Sequence, residues 1–218
     1  MLTATKVAEN FTSYTATEEA LYVFTGSVDG GDYGPGYDVV VGGTATVLYN
    51  GHESAGTVAL IWAKSGETIT TEKERYPMLV KINFSRKPKI KQTWVSSSIS
   101  QTGKKNKIYI GAAVCWSHLA PSSLTYSFNC TGEKTTIAHS NPGWSRNAMS
   151  LMIPSEDSAI TVTVDENYGE KQGYLFQLEE GNCYIKKSGE WKNGSTYIKK
   201  NGSWVSGDVY SKHTTWKN

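Results

Sequence analysis

The sequence predicts an all-β protein: an antiparallel β-sandwich or jelly roll followed by a small C-terminal β-hairpin repeat. Three observations predict it. From Ala20 to Leu178, short runs rich in Val, Ile, Thr, Tyr and Phe alternate apolar and polar residues with period two. Each run is bounded by Gly, Asn, Ser or Pro clusters, and no segment sustains a 3.6-residue repeat over helix length.

Residues 1–19 are polar and enriched in Ala, Thr and Glu, and read as an N-terminal arm, either one short helix or an extended segment. The strand runs are then Leu21–Val28, Tyr37–Tyr49, Gly56–Ala63, Tyr76–Phe84, Lys89–Ser98, Lys107–Trp116, Ser123–Asn129, Ala148–Ile153, Ala159–Val164 and Gly173–Leu178. Ten runs of this kind argue for two antiparallel sheets around one shared core. The clearest is 159–165, which puts Ile160, Val162 and Val164 inward and Thr161 and Thr163 outward. The loops are Asp29–Gly36, Gly51–Gly56, Gln101–Asn106 and Ser140–Arg146, and Trp144 in the last is the position where an exposed aromatic binding residue is expected. The organisation is therefore an arm over 1–19, a β-sandwich domain over 20–180 and a repeat over 181–218.

The most specific feature is that repeat. Tyr184-Ile-Lys-Lys-Ser-Gly-Glu-Trp191 recurs 13 residues later as Tyr197-Ile-Lys-Lys-Asn-Gly-Ser-Trp204, and in decayed form as Tyr210-Ser-Lys-His-Thr-Thr-Trp216. Each unit reads as a β-hairpin. Asn201-Gly202 suits a two-residue type I′ turn, because both residues tolerate positive φ. That turn sets Lys199 opposite Trp204 and Ile198 opposite Val205, with Tyr197 diagonal to Trp204 on the face shared with Lys199. An aromatic stripe flanked by lysines follows, made of Tyr184, Trp191, Tyr197, Lys199, Trp204, Tyr210 and Trp216. In such a stripe Tyr and Trp either pack on each other, on the preceding domain or on a symmetry-related copy, or form a platform that stacks on sugar rings or sits against an anionic polymer.

The Tyr-Ile-Lys-x-Asn-Gly-x-Trp units at the end of a β-rich chain resemble the terminal repeats of minor structural proteins of tailed bacteriophages, of tail, baseplate or fibre-associated type. The resemblance covers residues 183–218. It implies a non-enzymatic virion component whose partners are other virion proteins, a second copy of itself in a symmetric homo-oligomer, and a host cell-surface glycan. A head decoration protein is an alternative in the same class. The repeat also resembles the Trp/Tyr/Gly repeats of choline-binding and other cell-wall-binding modules, which implies a free carbohydrate-binding module, although those units have a longer period of roughly 20 residues.

Composition sets the outer limits. The chain has 218 residues, 38% hydrophobic and 19% charged. That apolar content excludes a disordered chain, and no stretch reaches the ~18 apolar residues a spanning helix needs, so no membrane partner is expected. Met1–Val7 lacks the basic and apolar regions of a secretory signal, which fits synthesis in the host cytoplasm and residence in the virion. Cys115, Cys130 and Cys183 have neither a C-x-x-C pair nor a zinc spacing. The formal charge of +2 is uneven: seven Lys against Glu190 and Asp208 from Gly181 onward give +5, and 15 basic against 18 acidic groups before it give −3.

No catalytic motif emerges, and no enzyme, cofactor or metal is expected. His52-Glu-Ser-Ala-Gly56 has His where a hydrolase elbow needs Gly, and a strand follows where the elbow needs a helix. Asp29–Asp38 gathers three carboxylates in a Gly-rich loop, an oxygen set that suits calcium in kind but matches no calcium-loop pattern. The acidic pairs Glu18-Glu19, Glu156-Asp157, Asp165-Glu166 and Glu179-Glu180 are sequence neighbours whose side chains diverge, unlike a glycosidase pair. His52, His118, His139 and His213 are scattered without metal-ligand spacing. The basic clusters Arg86–Lys91 and Lys104–Lys107 read as solvated hairpin ends, and the −3 balance of this region argues against nucleic acid.

Overall fold

The computed structural model describes residues 2–27, 41–53, 55–71, 75–117, 125–140, 145–165 and 169–179, together with the strand backbone of 183–187, 190–194, 197–200 and 203–206. The chain divides into two compact units, Met1–Glu179 and Glu180–Asn218. Every regular element among the described residues is a β-strand.

The described residues of the first unit form sixteen strands in two consecutive sets of eight. The first set is β1 (Ala4–Glu9), β2 (Ser13–Thr15), β3 (Ala20–Ser27), β4 (Val41–Gly43), β5 (Thr46–Glu53), β6 (Gly56–Ala63), β7 (Thr68–Thr71) and β8 (Arg75–Ile82). The second is β9 (Lys89–Val95), β10 (Ser98–Gly103), β11 (Ile108–Ser117), β12 (Thr125–Asn129), β13 (Gly132–Ala138), β14 (Ser145–Pro154), β15 (Ser158–Asp165) and β16 (Gly169–Glu179). The first set forms a five-stranded sheet, β1-β8-β3-β6-β5, and a three-stranded sheet, β2-β7-β4. The second repeats the plan as β9-β16-β11-β14-β13 and β10-β15-β12. In each set the first strand pairs with the eighth, the second with the seventh, and the third with both sixth and eighth, all antiparallel. This is the wrap of a jelly roll, made twice.

Four sheets enclose three cores, where the alternation alone predicts two sheets and one core. The two five-stranded sheets face each other across a middle core that includes Leu60, Trp62, Val80, Met149, Leu151 and Phe176. Tyr22, Phe24, Ile61 and Leu79 point the other way, onto the three-stranded sheet of their own half. Tyr109, Met152 and Leu175 do the same in the second half, against Ile160, Val162 and Val164. The large sheets are covered on both faces, so every residue of β3 and β6 is buried. Strand β15 lies in an outer sheet and alternates as its sequence predicts, with Ile160, Val162 and Val164 buried and Ala159, Thr163 and Asp165 exposed.

Several element boundaries differ from the sequence-based expectation. Residues 4–9 form β1, the edge partner of β8, and 13–15 form β2, so the polar N-terminal stretch is sheet in both places. The run expected over Tyr37–Tyr49 splits in its described part, because Gly43 turns the chain at φ 110° and sends β4 and β5 into different sheets. In the loop expected over Gly51–Gly56, residues 51–53 belong to β5, and Glu53 and Gly56 are register partners. The loop expected over Gln101–Asn106 yields its first half to β10. Strands β7 and β13 were not legible: the first is short, and the second is an edge strand with residues 132–136 all exposed, which leaves no apolar alternation to read.

The described residues of the second unit form two hairpins, β17 (Cys183–Lys187) with β18 (Glu190–Gly194), and β19 (Tyr197–Lys200) with β20 (Ser203–Ser206).

Candidate functional site

The C-terminal hairpins carry the expected site residues, and their backbone register is described. In β19–β20, Lys199 lies opposite Trp204 and Ile198 opposite Val205; Tyr197 lies opposite Ser206. In β17–β18, Lys186 lies opposite Trp191 and Tyr184 opposite Asn193. A 13-residue translation thus maps one ladder onto the other, Lys opposite Trp in both, with Tyr two positions from the Lys. Since register partners and i, i+2 positions belong to one face of a ladder, Tyr184, Lys186 and Trp191 occupy one face of the first hairpin, and Tyr197, Lys199 and Trp204 that of the second. Tyr210, Trp216, Trp144, the turn residues Asn201-Gly202 and the Asp29–Asp38 loop lie outside the described residues.

A second polar constellation, not legible in the sequence, lies where the two jelly rolls meet. Lys6 of β1 places its Nζ 2.5 Å from Glu9 Oε1, 2.6 Å from Ser140 Oγ and 3.2 Å from the Ala138 carbonyl. Glu9 in turn accepts from the Ser140 backbone N–H at 2.7 Å. Burial pushes the Glu9 carboxyl up, but the Lys6 ammonium and the Ser140 donors outweigh it and hold the group below its ordinary value. Asn10 and Tyr76, both left-handed at φ 52° and 53°, flank His139: Asn10 Oδ1 lies 3.2 Å from His139 Nε2, and the Tyr76 ring meets the imidazole edge-on at 5.7 Å. Left-handed backbone is uncommon for a Tyr and is held here by tertiary contacts. The Asn147 amide donates to the Tyr76 carbonyl at 2.7 Å, and the Asn10 N–H donates to the Pro77 carbonyl at 2.8 Å.

Chemically this seam is a clasp. The Ser140 hydroxyl accepts from Lys6 Nζ at 2.6 Å and donates to Glu9 Oε1 at 3.1 Å, so both of its sides are engaged within the seam. What the arrangement accomplishes is to tie β1 of the first half to the end of β13 in the second, more than 120 residues away in sequence.

Other candidate groups are engaged in local structure, while His118, His213, Glu166 and Glu180 lie outside the described residues. His52 Nδ1 lies 2.9 Å from Thr57 Oγ1 on the neighbouring strand. In the acidic pairs, Glu18 pairs with Lys81, Glu19 accepts from Trp62 Nε1, Asp157 pairs with Lys104, Asp165 with Lys171 and Glu179 with Lys91. Among the described residues no three His, Cys, Asp or Glu side chains converge as metal ligands. Cys115 is buried, with its thiol 3.4 Å from the Arg146 carbonyl, and Cys130 is half-buried, its thiol pushed up by burial.

No protein-family model, curated protein or solved structure matches the chain.

Proposed function

We propose that the chain is a non-enzymatic structural component of a tailed-phage virion, associated with the tail, fibre or baseplate, that assembles as a homo-oligomer with other virion proteins. The twin jelly roll is the scaffold, and the C-terminal hairpins contact a neighbouring subunit or a host-surface glycan. The observation that carries this reading is the repeated register: two hairpins 13 residues apart place Tyr, Lys and Trp at the same ladder positions. Two-stranded hairpins bury little by themselves and need a partner surface to be stable. Fold-level analogy supports the reading in type, because jelly rolls are used in both capsid and lectin domains.

The test is the native mass of the full chain together with a pull-down against intact phage particles. The expected result is a closed trimer, pentamer or hexamer that co-purifies with particles. A strict monomer that never associates with particles overturns the reading. Deletion of 181–218 then assigns the hairpins: lost assembly makes them oligomer contacts, and retained assembly with lost host attachment makes them recognition elements. The same Tyr–Lys–Trp register favours a second reading, a free carbohydrate-binding module, which requires cell-wall binding by the isolated protein and its loss in Trp204→Ala.

A further inference from the structure

At one end of the first unit the two jelly rolls are wired alike but charged differently. In the first half this end consists of residues 2–3, 16–19, 44–45 and 64–67, where Lys64 stands against Glu18, Glu19 and Glu67, one minus three, −2. In the second half the equivalent residues are 83–88, 104–107, 130–131 and 155–157. Here Arg86, Lys87, Lys104, Lys105 and Lys107 stand against Glu156 and Asp157, five minus two, +3. Adding the three residues of each strand nearest this end brings in Lys6 and Lys81 in the first half, for 0, and Lys89, Lys91, Lys134, Glu133 and Glu179 in the second, for +4. The same strand plan tolerates carboxylates in one copy and ammoniums in the other, so the positive charge is not a requirement of the fold.

The topology draws the two basic clusters, separate in sequence, into one patch. Lys89 is the register partner of Glu179, and Lys91 Nζ lies 2.8 Å from its Oε1. Lys91 chiefly, with Lys107 and Lys89 adding, holds the Glu179 carboxyl below its ordinary range. On the other flank Asp157 accepts from the Lys105 backbone N–H at 2.8 Å and from Lys104 Nζ at 2.9 Å. The 104–107 turn joins the flanks: the Lys104 N–H donates to the Tyr109 hydroxyl at 3.0 Å, the Lys107 N–H donates to the Lys104 carbonyl at 3.1 Å, and Ile108 is the register partner of Leu178, beside Glu179. Lys89, Lys91, Lys104, Lys105 and Lys107 are all exposed. Five ammoniums thus surround two carboxylates.

We propose that this end of the second jelly roll binds a polyanionic glycan, a polysaccharide carrying carboxylate, sulfate or phosphate groups. Solvated lysines on a surface suit spaced point charges along a flexible chain, and lack the planar fork with which arginine reads a single anion. The aromatic groups described here, Phe84 and Tyr109, are 3% and 1% exposed, so they offer no platform for stacked bases. The inference names the chemistry of the glycan contact proposed above and in that respect rests on it, but its surface belongs to Met1–Glu179 and not to the hairpins.

The test uses the full chain with dextran sulfate and polygalacturonate as probes, neutral dextran as control, and salt at about 50 and about 200 mM. Binding of a polyanion, weaker at the higher salt, and no binding of neutral dextran are expected. Lys89→Gln/Lys105→Gln/Lys107→Gln should weaken binding about tenfold, and the matching Lys→Arg triple should restore it. Lys186→Gln/Lys199→Gln removes two charges from the other unit and should weaken binding less than the Gln triple does. Unchanged affinity in the Gln triple, equal binding of neutral dextran, or tighter binding of a single-stranded oligonucleotide overturns the inference. Pull-down of the Gln triple with phage particles separates the two readings: particle association depends on the virion assignment, polymer binding on the patch.

Discussion

Tyr22 and Tyr109 hold the same place in the two jelly rolls. Each lies near the start of the third strand of its half, is buried in the outer core, and bonds its hydroxyl to the backbone of the connection just before its strand. Tyr22 donates to the Glu18 carbonyl at 3.1 Å, and Tyr109 accepts from the Lys104 N–H at 3.0 Å. The partner changes from carbonyl to amide while the corner stays closed, since a phenol both donates and accepts. Equivalent strand plans therefore extend to an equivalent buried side chain.

Removing either hydroxyl should loosen its own corner. Tyr22→Phe and Tyr109→Phe should each cost about 0.5–1.5 kcal/mol, the net worth of a hydrogen bond. Urea unfolding should show a lower midpoint and an unchanged slope. Because the two sites belong to different cores, the double variant should show the sum of the single effects.

The middle core should make the two halves unfold together. The Phe176 ring meets Tyr49 of the first half edge-on at 4.9 Å and stacks parallel to Tyr174 at 6.2 Å. Phe176→Ala should cost about 3–5 kcal/mol. Tryptophan fluorescence and far-UV circular dichroism should still report one coincident transition, and two separated transitions would show that the halves are independent.

The clasp at the seam predicts an acid-dependent stability. The Glu9 carboxyl is lowered in the folded chain from an ordinary 4.5, so its contribution is complete above that value and is lost as pH falls through the folded one. Glu9→Gln should be less stable than the unmodified chain at pH 7. The difference should shrink below about pH 4.5, as measured by denaturation midpoints across the acid range.

Gly56 opens β6 at φ 146°, and a Cβ there would lie 2.2 Å from the Gly26 carbonyl oxygen. That neighbour is backbone and cannot swing away. Gly56→Ala should destabilise by about 2 kcal/mol or more, whereas Gly66→Ala, at φ 87° with open space around it, carries only the backbone strain and should cost less.

Legibility follows burial geometry. The 159–165 run is readable because β15 has one face on a core and one on solvent, which writes the period into the residue types. Leu21-Tyr-Val-Phe24 and Val58-Ala-Leu-Ile-Trp62 are continuous apolar runs, which identify strands but not which neighbour each face meets. The hairpin register needs only two central residues and the pairing rule, so Lys199 opposite Trp204 was accessible from sequence and is the register of β19–β20. The seam was not accessible, because Lys6 with Glu9, Tyr76 and His139 belong to three separate segments with no shared motif.

The sequence by itself determined the strand-forming alphabet, the all-β class and the 13-residue repeat, because alternation and turn chemistry act between residues close in the chain. Tertiary structure alone decided that sixteen strands make two jelly rolls of one plan stacked on their large sheets. It also decided that Lys89, Lys91, Lys104, Lys105 and Lys107 form one charged end. Both depend on which apolar face covers which, and that choice is set by burying two sheets against each other at long sequence separation, where local pattern carries no information.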